Sequence, residues 1–171
     1  MKSIEQDPIE ELIKTKAIEQ LVARFARACD WLSLDELHGC FIPGAIVRFG
    51  PHAMTAAEFI DFWNEMGTPF KARHHLVGVP MILFTAPDAA FVEVAAIVAG
   101  TRAENGVRLR DFMECDRYMF DVKLHDGGWR ISDARILVPW SQGGPTPTAM
   151  EAGIPLSHGV TTDHPWFVPV G

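Results

Sequence analysis

The chain has 171 residues, of which 48% are hydrophobic and 22% charged, and its net charge is −7. This length and composition predict one globular domain with a full hydrophobic core. The 15 basic residues are scattered along an acidic chain, which argues against nucleic acids and anionic membrane surfaces as partners.

The sequence carries no signal for export or membrane insertion. No stretch approaches the roughly 18 apolar residues of a membrane helix, and residues 1–7 are polar and acidic, unlike a signal peptide. The cysteines, Cys29, Cys40 and Cys115, are odd in number and lack metal-binding spacing. We therefore expect reduced thiols in a cytoplasmic protein.

The first part of the chain is predicted to be mainly helical. Asp7 and Pro8 suit a helix start, and apolar residues recur at three- and four-residue steps from Ile9 to Cys29, which predicts one long helix. The segments Ser33–Glu36 and Thr55–Glu58 read as capping boxes that open two further helices. A short strand is predicted between these two helices, at residues 45–49.

From Arg73 onward the pattern changes to strands. Strands are predicted at residues 73–84, 91–102, 107–124 and 129–138, and glycine-containing turns separate the last three. Three helices followed by long antiparallel strands predict an α+β fold, a curved antiparallel sheet with the helices on its concave side. We expect the apolar strand at 91–102 to be buried on both faces, as in an oligomer.

The chain divides by composition near residue 138. Residues 139–171 hold six of the twelve prolines together with Trp140, Trp166 and Phe167. We predict a domain at residues 1–138 and an extended arm at 139–171 that covers the domain or a neighbouring subunit.

Two polar residues stand where polar groups are costly. Asp30, at the end of the first helix, faces the negative end of the helix dipole, which is unfavourable by about 0.3–1 kcal/mol. His75 lies within an apolar strand and needs a partner. The residues alone leave two structural explanations open: a salt bridge from Asp30 to Arg27 or Arg135, and a core histidine bonded to backbone.

Four segments together resemble the SnoaL-like family of the nuclear transport factor 2-like superfamily, in particular its scytalone dehydratase and hexachlorocyclohexane dehydrochlorinase branch. These segments are Ala28–Leu37, Phe41–Val47, Arg73–Gly78 and Asp126–Ile131, and the resemblance covers residues 9–140. It implies a cone-shaped sheet with three N-terminal helices that encloses an apolar pocket. It also implies a homotrimer, with a dimer as the alternative.

The resemblance assigns roles to Asp30 and His75. In that branch an aspartate at the end of helix 1 orients a strand histidine, which removes a proton from carbon. His75 fits the spacing to Gly78 better than His74 does. The implied activity is a cofactor-independent lyase, dehydratase or isomerase reaction on a small hydrophobic substrate, aromatic or polyketide-like.

The sequence leaves several candidates for the group that polarises the substrate oxygen. The tyrosine positions of the dehydratase are occupied by Cys29 and Phe49, and the only tyrosine is Tyr118. Arg135 matches an arginine of the last strand and is the preferred catalytic candidate, ahead of Tyr118, Arg110 and His52. The predicted substrate-binding residues are Tyr118, Trp31, Phe49, Trp63, Arg110 and His52.

The sequence leaves other functions as alternatives to this one. A non-catalytic ligand-binding or accessory module of the same fold is the main alternative, and epoxide hydrolysis through Asp30 and Arg135 is a third. A metal site built on His74 and His75 is disfavoured because adjacent strand residues diverge. Cys29 as a nucleophile lacks a nearby base in the sequence.

Overall fold

The computed structural model describes residues 7–49, 52–104 and 108–142. Three helices and seven strands follow one another in this part of the chain. They are α1 Pro8–Trp31, α2 Leu34–His38, β1 Phe41–Phe49, β2 His52–Thr55, α3 Ala56–Gly67, β3 Phe70–Val77, β4 Met81–Ala86, β5 Ala89–Glu104, β6 Arg108–His125 and β7 Gly128–Gln142.

The long helix α1 has the predicted bounds. The Asp7 side chain accepts the backbone N–H of Ile9 at 3.0 Å, and the helix ends where Leu32 adopts a left-handed conformation, φ 49°. The buried residues begin at Ile18, whereas the apolar residues of the first turns, Ile9 among them, are exposed. The apolar residues of α1 before Ile18 therefore lie outside the core.

The two predicted capping boxes differ in the structure. At α3 the box is complete, because the Thr55 hydroxyl accepts the N–H of Glu58 and the Glu58 carboxylate accepts the N–H of Thr55. At α2, Ser33 occupies the cap position but its side chain makes no capping hydrogen bond. Ser33 therefore marks the start of α2 without the predicted box.

The seven strands form one curved, unclosed sheet in the order β2-β1-β7-β6-β5-β3, and β4 also pairs with β5. The pairing of β1 with β7 is parallel and all other pairings are antiparallel. The fold is α+β as predicted, but the sheet is mixed rather than wholly antiparallel, because the last strand returns beside the first. The short strand β2 was not predicted.

The strand predicted at residues 73–84 is in fact two strands, β3 and β4. Gly78, Val79 and Pro80 separate them, and the N–H of Gly78 donates to the carbonyl of Ala95 at 2.9 Å. Both strands pair with β5, which becomes the long central strand of this half of the sheet.

The core lies between the helices and one face of the sheet. Phe25 of α1 packs its ring edge-on against Phe41, Tyr118 and Phe120. On β5 the buried residues alternate with exposed ones, and Ile97 is 42% exposed. In the single chain one face of β5 is therefore exposed, and its burial in an oligomer stays a prediction.

The last strand continues past the predicted domain boundary at residue 138. Cys115 pairs with Trp140 and Arg117 pairs with Leu137, so a bulge at Val138 and Pro139 lies opposite Asp116. A bulge tolerates proline, which has no N–H to give to the sheet. The strand ends at Gln142, and the rest of the predicted arm, 143–171, lies outside the described residues.

Two smaller observations concern the predicted cellular setting. All three cysteines are free, with Cys29 and Cys40 buried. No helix in the described ranges is long and apolar enough to cross a membrane. The cytoplasmic location stays a prediction.

Gly100 on β5 offers a test of the sheet packing. A Cβ there would lie 2.6 Å from a ring carbon of Phe112 and 2.7 Å from the carbonyl oxygen of Ala72. We expect Gly100→Ala to lower the free energy of unfolding by about 1–3 kcal/mol through overpacking. The control is Gly78→Ala, whose Cβ would lie 3.4 Å from the Ala95 carbonyl oxygen. Equal urea-denaturation midpoints for the two variants would contradict this account.

Candidate active site

Asp30 and His75 are joined through both oxygens of the carboxylate. Oδ1 of Asp30 lies 2.6 Å from Nδ1 of His75, and Oδ2 accepts the backbone N–H of His75 at 3.1 Å. The His75 side chain is only 3% exposed. The end of α1 thereby fixes both the backbone and the ring of one residue on β3.

The carboxylate determines which ring nitrogen of His75 carries the proton. An ionised carboxylate only accepts hydrogen bonds, so Nδ1 of His75 is the protonated nitrogen. The other nitrogen, Nε2, makes no hydrogen bond to any described residue, and its lone pair is available to a ligand. A carboxylate in this position also stabilises the imidazolium that forms when Nε2 takes a proton.

His74 lies on the opposite face of β3. Its side chain is 74% exposed, and its Nδ1 is 3.7 Å from Oδ2 of Asp30. The two neighbouring histidines diverge as adjacent strand residues do. Within residues 7–49, 52–104 and 108–142, no group of three His, Cys, Asp or Glu side chains is placed to hold a metal ion.

The unfavourable position of Asp30 is relieved by donors at the end of α1. The Arg73 guanidinium donates to the backbone carbonyl of Asp30 at 3.4 Å, and the Trp63 indole donates to that of Cys29 at 3.4 Å. A cation at a helix C-terminus interacts favourably with the dipole. Arg27, one of the predicted partners of Asp30, instead pairs with Glu36.

Arg73 was missed by the sequence analysis. Its guanidinium lies over the rings of Trp63 and Phe70, 5.4 and 5.2 Å from their centroids. The sequence could have indicated that Arg73 lies near the site, because it is two residues from His75 and therefore shares its face of β3.

The pKa of the Asp30 carboxyl reflects these contacts. Partial burial alone would raise this pKa, but hydrogen bonds from the His75 ring and backbone, together with the nearby His75 and His74 charges, hold it below its usual value. Asp30 is therefore ionised at neutral pH and acts as an acceptor for His75.

A second polar pair, Asp116 and Tyr118, lies on the same side of the sheet as His75. The Tyr118 ring centroid is 6.4 Å from that of His75, and the Tyr118 hydroxyl donates to Oδ2 of Asp116 at 3.0 Å. Both residues are buried. Burial and the neighbouring Glu114 raise the pKa of Asp116 to about 7, although the Tyr118 hydrogen bond opposes the shift.

Asp116 was also missed by the sequence analysis, which named no acidic residue of β6 as a site candidate. Glu114, Asp116 and Tyr118 alternate along the strand and share the inner face, whereas Asp111, Asp121 and Lys123 are exposed. The sequence signal for this shared face was that Glu114, Asp116 and Tyr118 occupy every second position of one strand.

Trp63 and Phe49 are partly buried, as pocket-lining residues would be. The Trp63 ring stacks on Phe59 and lies 6.2 Å from His75, so it flanks the histidine. Phe49 packs against Phe62, 6.1 Å between centroids. The structure brings Trp63, but not Phe49, into contact with the Asp30–His75 pair.

Trp31 lies on the outside, 77% exposed. It lines a surface pocket of about 440 Å³ together with Asp30, Leu32 and residues 70–74. The pocket reaches the Asp30 side of the pair but is not lined by His75, so Trp31 is separated from Nε2 of the histidine.

Two of the proposed polarising groups are not in the site. Arg135 is exposed and alternates with the buried Ala134 and Ile136, so it lies on the outer face of β7. His52 is exposed on the edge strand β2. The assignment of a catalytic role to Arg135 and a substrate-binding role to His52 is corrected accordingly. The Arg110 side chain lies outside the described residues.

The family follows from a direct comparison. Residues 10–135 match the SnoaL-like domain family. The chain belongs to this family. A search of curated proteins finds no significant match.

Solved structures show the same fold for this SnoaL-like chain. A candidate scytalone dehydratase from Novosphingobium aromaticivorans superposes with a TM-score of 0.74 at 18% identity, covering 81% of this chain and 92% of that one. A hexachlorocyclohexane dehydrochlorinase of type 2 superposes with a TM-score of 0.71 at 15% identity, covering 80% of this chain and 92% of that one. A candidate aromatic ring hydroxylase from N. aromaticivorans superposes with a TM-score of 0.70 at 20% identity, covering 82% of this chain and 98% of that one. The fold is that of the nuclear transport factor 2-like superfamily, as predicted.

Asp30 should link the stability of the SnoaL-like domain to pH. Its pKa is lower in the folded than in the unfolded chain, so its ionised form stabilises the fold above about pH 4 and this stabilisation is lost as the pH falls through the folded pKa. We expect Asp30→Asn to cost about 1–3 kcal/mol at pH 7 and progressively less in acid.

The measurement is urea unfolding of wild type and variant from pH 7 down to pH 3. The control is Asp61→Asn, which replaces an exposed carboxyl on α3. A stability difference for Asp30→Asn that stays constant through this pH range would contradict the linkage.

Proposed function

We propose that this protein is a cofactor-independent lyase of the dehydratase type, or an isomerase, that acts on a small hydrophobic substrate by general-base proton abstraction. The observation that carries the proposal is the 2.6 Å contact between Asp30 and Nδ1 of His75 in a buried setting. It fixes the tautomer and leaves Nε2 free as a base.

In the proposed reaction Nε2 of His75 removes a proton from a carbon next to a carbonyl group. The imidazolium that forms is stabilised by the Asp30 carboxylate on its other side. For isomerisation, the electron pair left on carbon moves onto the carbonyl oxygen, and the imidazolium then returns the proton to a different carbon of the enolate. For elimination, the electron pair expels a group from the neighbouring carbon. Neither path requires a metal or an organic cofactor.

The surroundings of His75 favour an aromatic or polyketide-like substrate. Trp63 and Tyr118 flank the imidazole at 6.2 and 6.4 Å between ring centroids. Flat apolar molecules pack well against such rings, and a few fixed polar groups then set their orientation.

The structural relatives support an elimination in particular. The names of two similar structures, a candidate scytalone dehydratase and a hexachlorocyclohexane dehydrochlorinase, describe the loss of water and of hydrogen chloride. Both names describe the removal of a small leaving group, which agrees with a base at the position of His75.

His75→Ala tests the base. We expect it to lower kcat by about 10²–10⁴-fold on any β-hydroxy ketone that the wild type dehydrates, because the variant has no group at the position of Nε2. The assay follows enone formation by absorbance across a panel of aromatic and polyketide-like β-hydroxy ketones.

The control for this test is His74→Ala, which removes the exposed neighbouring ring and should retain activity within a few-fold. His75→Gln is measured alongside as a polar variant that can still occupy the buried position. Retention of wild-type turnover by both folded His75 variants would refute the mechanism.

The alternative function is a non-catalytic ligand-binding or oligomeric accessory module. The two functions differ in the effect of His75→Gln, because a binding module would keep its affinity for an aromatic ligand and would turn nothing over. The epoxide hydrolysis option loses its basis, since Arg135 faces away from Asp30.

We also propose that the chain forms a homo-oligomer, a trimer or a dimer, through the outer face of the sheet. Leu76 on β3 and Ile97 on β5 are direct cross-strand neighbours, 60% and 42% exposed. Met113 on β6 and Met81 on β4 add exposed apolar surface on the same side. Apolar patches of this kind are typical of subunit interfaces.

Ile97→Lys should convert the oligomer into monomers, because a charge would then be buried in the contact. The measurement is molar mass by light scattering after size exclusion, with Ala57→Lys on the exposed side of α3 as control. A monomeric wild type, or an Ile97→Lys variant of unchanged mass, would contradict this interface.

A further inference from the structure

Asp116 is a buried carboxyl with one oxygen unused. It is 7% exposed and lies on β6 opposite Ala96 of β5 and the bulge at Val138 and Pro139 of β7. Its Oδ2 accepts the Tyr118 hydroxyl, whereas Oδ1 is buried and has no hydrogen-bond partner in the described part of the chain.

An ionised carboxylate in this position would be costly. Buried charges need paired cations or several hydrogen-bond donors, and Asp116 has one donor. The titratable groups that face the Asp116–Tyr118 pair are Glu114 on the same strand, the Cys29 thiol of α1 and the His75 ring, which lies 6.4 Å from the Tyr118 ring, and none of them donates a hydrogen bond to Oδ1 of Asp116. The neighbours on β5 and β7 are apolar. A proton on Oδ1 removes the problem and makes Asp116 a hydrogen-bond donor.

Asp116 and His75 lie on the same face of the sheet, and the Tyr118 ring, which is bonded to Asp116, lies 6.4 Å from the His75 ring. His75 pairs with Val98 of β5, and Val98 pairs with Glu114 of β6, so these three residues form one row. Asp116 is two residues further along β6 and shares that face. Two strand spacings separate the backbones of β3 and β6, roughly 10 Å, so the base and the acid approach from opposite sides of β5.

We propose that Asp116, held by Tyr118, is the general acid that protonates an oxygen leaving group, so that the site is built for dehydration rather than for loss of halide. This inference rests on the proposed function of His75 as the base. Asp116 is the catalytic residue of the pair, and Tyr118 is a positioning residue that acts through it.

The step balances without any further reactant. Nε2 of His75 takes the proton from the α-carbon, and the electron pair of that C–H bond becomes the new C=C bond. The C–O bond at the β-carbon breaks, and its electron pair leaves with the oxygen, which takes the proton from Oδ1 of Asp116. The products are an enone and water. Between turnovers His75 releases one proton to solvent and Asp116 takes one up.

The pKa of Asp116, about 7, suits this role. A general acid works best when its pKa lies near the working pH, because it is then both protonated and able to give up its proton. A halide leaves without protonation, so a dehydrochlorinase has no need for such a group.

The first experiment separates proton abstraction from loss of the leaving group. The probes are 4-hydroxy-4-phenylbutan-2-one and its 4-chloro analogue, with loss of the α-hydrogens to deuterated solvent followed by NMR. We expect Asp116→Asn to slow loss of hydroxide by about 10²-fold or more. Solvent exchange at the α-carbon and elimination of chloride should both stay within about threefold of wild type, since they use His75 alone.

The outcomes distinguish this inference from the function on which it rests. If His75→Ala abolishes exchange while Asp116→Asn dehydrates the hydroxy ketone at the wild-type rate, the acid role is overturned and the base stands. If His75→Ala still catalyses both exchange and elimination, the proposed function itself falls. Equal losses of exchange and dehydration in Asp116→Asn would also overturn the acid role, because the residue would then serve the first step.

A second readout needs no substrate. In the ¹³C NMR spectrum of protein with labelled aspartate carboxyls, one signal should titrate near neutral pH and be absent from Asp116→Asn. Tyr118→Phe removes the hydrogen bond that stabilises the ionised form, so the pKa of Asp116 should rise further, together with the basic limb of the pH–rate profile. A carboxyl of Asp116 that is fully ionised at about pH 5 would overturn the proposal.

Discussion

The contact between Asp30 and His75 is the interaction on which the site depends. It joins the last turn of α1 to the middle of β3, two segments separated by two helices and two strands. Because one carboxylate holds both the backbone N–H and the ring of His75, the imidazole has little freedom to rotate. The donors from Arg73 and Trp63 stabilise the helix end that supplies this carboxylate. The helix end, the strand and the flanking rings therefore form one unit.

The sheet then determines what can face the histidine. β5 lies between β3 and β6, and its inward residues at the level of the site are small or β-branched, such as Ala96 and Val98. The polar groups of β3 and β6 project from the same face of the sheet on either side of these residues. The two carboxyls differ in protonation because hydrogen bonds from His75 hold the pKa of Asp30 below its usual value, whereas burial and Glu114 raise that of Asp116 to about 7. Such a difference gives one side of a site a base and the other an acid.

Much of the fold could be predicted from the sequence because its signals are local. The cap at Asp7, the box at Thr55 and the turn at Gly127 act over a few residues, and each lies where it was expected. The pairing of Asp30 with His75 was reached through a family resemblance supported by a physical argument about a helix-end acid. Neither β2 nor the break between β3 and β4 was predicted. In a sequence, a short strand resembles a turn, and an interrupted apolar run resembles one continuous strand.

The sequence by itself determined the helices and most of the long strands, and it marked Asp30 and His75 as polar residues in costly positions, which the family resemblance then paired. Only the tertiary structure decided which strand face each remaining polar residue occupies. Alternation shows that Glu114 and Asp116 share a face and that Arg135 lies opposite Ala134, but not which face the helices cover. The bulge at Val138 and Pro139 also changes the register of β7 against β6. Because the sequence does not show which face is covered, Arg135 was placed in the site and Asp116, whose side chain lies on the covered face, was overlooked.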